Sequence, residues 1–315
     1  MSPIESHQRN AGARIHVGPT ATGVPLVLAL LLGFALPPPA SAATMTWTNP
    51  AGGPWATASN WDPPNVPNAA GEGALFPEGG GAFTTTISAS YNLDAIRLLN
   101  PQTLLDVGAG RTLRTYLPEG VENHGTILLN GGALDGNLHN RSEGRILIPS
   151  GCQEAFSDTI TNDGSILVNS DGGAGDARLR IDTEGLVLHG AGEVILATAG
   201  SPADAQINES YGSLIQGPEH TIRGDGTIYV NFARNDGRIV ADVADRMLWM
   251  YGAPIALNNG LLLASGNGTL RIESSRITQG ATGMVLADGG AVELTTNARI
   301  DGGTLHTANG GRMES

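Results

Sequence analysis

Along most of this chain apolar residues come in pairs with one residue between them, and a glycine stands just before many of the pairs. Ile127/Leu129, Ile146/Ile148, Ile166/Val168 and Ile228/Val230 are examples. That period of two is the mark of a strand with one buried face. Outside the first 42 residues no window sustains the i, i+3, i+4, i+7 spacing of an amphipathic helix. The pattern predicts short strands joined by tight turns.

The turns repeat as well. A phrase of a turn ending in Gly, one more residue and then a β-branched or leucine residue occurs nine times from Gly125 to Gly303, at Gly-to-Gly steps of 19, 20, 28, 34, 11, 23, 30 and 13 residues. Its clearest copies are Asn123-His-Gly125-Thr-Ile127, Asn162-Asp-Gly164-Ser-Ile166, Asn235-Asp-Gly237-Arg-Ile239 and Asn258-Asn-Gly260-Leu-Leu262. A strand and a turn cannot bury their own apolar face, so such repeats are read as stacked coils. Glycine at these corners is expected to supply positive φ, and asparagine tolerates the same region. Stacked corner asparagines can also exchange side-chain hydrogen bonds. Asn123, Gly125, Asn162, Gly164, Asn235, Gly237 and Gly260 are accordingly read as structural turn residues. The expected fold is all-β, a parallel β-helix of eight to ten coils beginning near residue 44.

Composition narrows the class. With 45 Gly, 18 Pro and 4% aromatic residues the chain suits turns better than helices, while 40% hydrophobic content is too high for a disordered segment. The formal net charge is −13, and all 17 basic residues are arginine. An acidic surface of this kind repels phosphate backbones, which argues against nucleic acid as a partner. The single cysteine, Cys152, leaves no internal disulfide. Residues 1–42 read as a secretory signal: Arg9 and Arg14, an apolar run of 13 residues from Val24 to Leu36, and Ala40-Ser41-Ala42 before Ala43. Such a run is short of the ~20 residues a membrane-spanning helix needs. Any membrane association would come from export or from a C-terminal anchor not contained in the chain.

Candidate chemistry is sparse. Trp47, Trp55 and Trp61 fall close together in a Pro-rich segment. They are expected to fold over the open end of the first coil, with a sugar-stacking platform as the functional alternative. No cofactor is called for; the one candidate metal is calcium at Asp171 and Asp176, where Gly172-Gly173-Ala-Gly175-Asp176 approaches a calcium-binding repeat. The seven histidines lack zinc-site spacing, and no Gly-x-Ser-x-Gly elbow occurs. An enzyme on this scaffold would draw on acids beside the turns, namely Asp158 with Asp163, Asp176 with Asp182, or Asp225 with Asp236.

The export signal, the Trp, Asn60-Trp61-Asp62 and Val66-Pro67-Asn68 opening, and the degenerate Asn-x-Gly-x-Ile coils resemble bacterial secreted β-solenoid proteins, among them autotransporter passengers and haemagglutinin-like surface proteins. The resemblance covers about residues 44–315 and implies a right-handed parallel β-helix outside the cytoplasm, used in adhesion or surface architecture, with glycans or cell-surface components as partners. It supplies no catalytic residue. The expected organisation is a signal peptide over 1–42, a Trp-rich cap over 43–95 and solenoid repeats over 96–315. Since those repeats run on to Ser315 without an anchor, a truncated chain is expected. A structural or adhesive surface role is the leading expectation, and a polysaccharide lyase or glycoside hydrolase the alternative.

Overall fold

A computed structural model describes residues 43–156, 159–209 and 212–315. The expected export signal over 1–42 and the candidate Asp158 lie outside these residues. Within them the chain is a parallel β-solenoid of about 11 turns. Each coil lays down a strand on a first face, turns a corner onto a second, and usually crosses a third. One circuit runs Val121–Asn123, Thr126–Leu129 and Ala133–Asp135, then begins again at Leu138–Asn140. The first face has 13 strands and the second 12, while the third is divided into sheets of three and eight strands. Among the described residues strand pairs are parallel except where Ala43–Trp47 meets Trp61–Asp62, and one isolated antiparallel bridge joins Ser265 to Gly289. The turn Ala58–Asn60 is the only helical element among the described residues. The coil count exceeds eight to ten because coils already form upstream of the Asn-Gly phrase: Glu72–Phe76 and Ala95–Leu98 join the first face without it.

The core follows from the period of two. Ile127, Ile146, Ile166, Val194, Ile222, Ile239, Leu262 and Val285 pair in register up the second face, and each is fully buried. Burying one such side chain contributes about 1.5–3 kcal/mol, and every coil adds several. On the outer side of the same strands Leu128, Leu147, Leu167 and Ile195 form a second aliphatic column, half-buried by mutual stacking.

The corner between the first and second faces departs from the expectation about glycine. Gly125, Gly144, Gly164, Gly192, Gly237 and Gly260 are absent from the positive-φ glycines. They are required instead by close backbone approach. The amide after each corner residue donates to the corner carbonyl one coil below, as in Arg145 to Gly125 at 2.8 Å, Ser165 to Gly144 at 3.0 Å and Glu193 to Gly164 at 2.9 Å. A Cβ on Gly125 would stand 2.7 Å from the Thr103 carbonyl oxygen, and one on Gly164 would strike the carbonyls of Gly144 and Arg141. Following these bonds up the corner gives the true column: Gly125, Gly144, Gly164, Gly192, His220, Gly237, Gly260, Gly283 and Gly303. Gly226 and Gly290 belong to the third face, opening the strands Gly226–Tyr229 and Ala291–Thr295. The two shortest steps in the sequence period came from mixing these corners.

Just before the corner lies a ladder of buried amides. Asn123 Nδ2 donates to Asn140 Oδ1 and Asn140 Nδ2 to Asn162 Oδ1, both at 2.7 Å. Further up, Asn235 donates to Asn258 at 2.6 Å and Asn258 to Gln279 at 2.5 Å. Where the coil carrying Leu186–His189 offers no amide, His220 closes the break, its Nε2 3.1 Å from Asn162 Nδ2. For that amide to donate, Nε2 must hold the lone pair, so the ring is neutral. Burial lowers the His220 pKa to about 4.

Candidate functional site: an outward aromatic ledge

The three clustered tryptophans serve the fold. Trp47, Trp55 and Trp61 are only 3, 0 and 2% exposed. Trp47 meets Trp61 edge-on at 5.0 Å and stacks on Phe76 at 5.5 Å, while Trp55 packs against Trp61 at 4.8 Å and Tyr91 at 5.5 Å. The Trp61 indole N–H donates to the Trp55 carbonyl at 2.9 Å. With their faces against one another, these rings offer none to a sugar, which corrects the platform alternative. They close the N-terminal end of the core.

The candidate acids are tied to neighbours. Asp171 accepts from the Ser150 amide at 2.8 Å and from its hydroxyl at 2.9 Å; those bonds, led by the backbone one, hold its carboxyl below the usual range. Asp176 pairs with Arg178 at 2.7 Å, so the two proposed calcium ligands have separate partners. Asp182 pairs with Arg180 at 2.9 Å and Asp236 with Arg234 at 2.7 Å. Asp163 accepts from the Ala191 amide at 3.1 Å, and Asp225 from Thr198. Among the described residues no group of three or more His, Cys, Asp or Glu side chains is arranged to hold a metal.

An aromatic group does reach solvent, on the eight-stranded part of the third face. Tyr229 ends the strand Gly226–Tyr229, and Trp249 and Tyr251 lie one coil on in Met247–Tyr251. Tyr229 and Tyr251 are 46 and 41% exposed and stack with ring centroids 5.8 Å apart at 23°. Trp249 leans on Tyr251 at 5.0 Å and 53°. The turn makes room for this. Gly252 has φ +52°, and a Cβ there would lie 3.2 Å from the Tyr229 ring. Polar columns flank the ledge. Asn208 pairs in register with Tyr229, Arg271 with Trp249 and Glu273 with Tyr251. An amphipathic aromatic edge among amide, guanidinium and carboxylate groups is suited to stacking on a sugar ring while bonding its hydroxyls.

Sequence reasoning missed this ledge, although a signal was present. Tyr229 and Tyr251 each follow an inward-facing residue, Ile228 and Met250, which occupy the same register one coil apart. Reading the repeat coil by coil would have stacked them.

No protein-family model and no curated protein matches the chain. One solved structure does. It is the crystal structure of a TibC-catalysed, hyper-glycosylated TibA fragment, aligned over 87% of this chain and 94% of that one at 13% identity and a TM-score of 0.28. A superposition that loose bears on neither the fold nor the function derived above. Among the described residues no helix is long and apolar enough to cross a membrane.

Proposed function

We propose that this chain is an exported β-solenoid of the autotransporter-passenger or haemagglutinin-like kind, acting at or beyond the cell surface by adhesion to glycans. The observation that carries the reading is the ledge of Tyr229, Trp249 and Tyr251. Isolated exposed apolar residues are ordinary on any surface, but contiguous aromatic rings held open to solvent on a rigid sheet mark a contact surface. The salt-bridged acids favour binding over cleavage.

The test uses purified 43–315 on immobilised glycans and on cell walls. Tyr229→Ala with Tyr251→Ala is expected to weaken glycan retention at least tenfold while leaving the circular dichroism spectrum and melting temperature unchanged, since both side chains are exposed. Retention that survives the double substitution, or wild-type protein that binds no glycan, would sink the proposal. Intact mass from culture medium tests the export step, with a product starting at Ala43 expected.

A further inference from the structure

We infer that the trough beside the ledge takes an acidic sugar, with the Arg246 guanidinium gripping its carboxylate. This rests on the glycan-binding reading and names the ligand class. The trough, about 450 Å³, runs up the third face. Its floor is the in-register column Met247, Thr269 and Ala291. The small side chains of Thr269 and Ala291 there leave a channel between two ridges. One ridge is Arg271 and Glu293, whose column continues one coil back to Trp249; the other is formed by Arg246 and Asn267 at the corner.

Charge decides the ligand. The trough lining holds three arginines, Arg246, Arg271 and Arg312, to two acids, Asp245 and Glu293, in a chain with 17 basic and 30 acidic residues. A second groove of similar size, about 440 Å³, shows the opposite balance, with Glu143, Asp163 and Glu193 around Arg145 alone. The trough arginines also differ in what already holds them. Arg271 is paired with Glu293 at 2.7 Å, and Arg312 with Glu314. Among the described residues Arg246 reaches only Asp225, at 4.0 Å, and that carboxylate already accepts from the Thr198 hydroxyl and from its amide at 3.3 Å. Arg246 therefore keeps N–H donors in a fork that matches a carboxylate bidentately. Nearby, the Trp249 indole N–H is shielded and has no acceptor among the described residues. A uronate chain lying along the trough would place carboxylates against Arg246 and a ring face beside the ledge.

The experiment compares calorimetric binding of oligogalacturonate and of a cello-oligosaccharide of equal length to 43–315. Oligogalacturonate is expected to bind at least tenfold tighter, with the advantage shrinking as salt is added. Arg246→Ala should remove that advantage and leave the neutral ligand unaffected, whereas Tyr251→Ala should weaken both. If the two ligands bind alike, or Arg246→Ala leaves the acidic one untouched, the inference fails; neutral binding still sensitive to Tyr251 would then leave the ledge reading standing. No binding of either ligand would overturn both.

Discussion

Two buried titratable side chains have the largest pKa shifts, and they act on stability in opposite directions. Glu154 is 1% exposed, both its oxygens lack a partner among the described residues, and it takes the place of an aliphatic residue in the register column Leu179, Ile207, Ile228 and Met250. Burial raises its pKa to about 8. The unfolded chain ionises near 4.5 while the native one stays protonated, so stability falls as pH rises from 4.5 to 8, by up to about 5 kcal/mol. His220 is the reverse case. With a native pKa of about 4 against 6.5 unfolded, the unfolded state gains its proton first, and about 3 kcal/mol is lost as pH falls through that window. The two slopes cancel between about 4.5 and 6.5, so urea midpoints should be flat there and decline on both sides. Glu154→Leu should abolish the alkaline decline and stabilise by about 3 kcal/mol at pH 7. An alkaline limb that persists in this variant would assign the effect to another group. At the corner, Gly164→Ala should cost more than about 2 kcal/mol, because the new Cβ meets fixed carbonyls. Gly81→Ala, which has open space around it, is the near-neutral control in the same urea titration.

The amide ladder is the element in which neighbouring coils depend on one another most directly. Asn140 both accepts from Asn123 and donates to Asn162. Asn140→Ala would strand a buried donor below and a buried acceptor above, each costing about 1–3 kcal/mol. Gln279 ends its run, with Nε2 already unpartnered, so Gln279→Ala strands one donor, on Asn258, and should cost roughly half as much. Equal losses in urea unfolding would mean that the ladder adds nothing beyond local turn bonds. This ladder and the inward columns were legible in the sequence, because Asn-x-Gly and the period of two are local. What escaped depended on matching residues one or two coils apart. His220 lies 58 residues from the Asn162 it serves, and the column to which it belongs cannot be separated from Gly226 and Gly290 until the coils are stacked. The ledge was missed for the same reason, since Tyr229 and Tyr251 mean little singly. The tryptophans were obvious as a cluster, yet whether a ring faces a core or a sugar is decided by Phe76 and Tyr91, which the local pattern does not connect to them.

At the scale of the whole molecule, each coil touches chiefly the coil above and the coil below, so stability is close to a sum of coil terms and nearest-neighbour interfaces. A defect in one coil then weakens the molecule there without loosening its ends. The tryptophans make this measurable. Trp47, Trp55 and Trp61 sit together in the N-terminal cluster, and Trp249 is the only other in the chain. In a Trp249→Phe background, fluorescence reports the first coils alone while far-ultraviolet circular dichroism reports them all. With the corner otherwise intact the two probes should share one urea midpoint, because the same backbone stacking runs through successive coils. Adding Gly164→Ala, at the third of the nine corner positions, should separate them, with circular dichroism declining first and the tryptophan signal holding to higher urea, as the aromatic end stays folded beyond the broken coil. Coincident midpoints in the double variant would mean instead that coupling extends well past adjacent coils and that the solenoid unfolds as one unit.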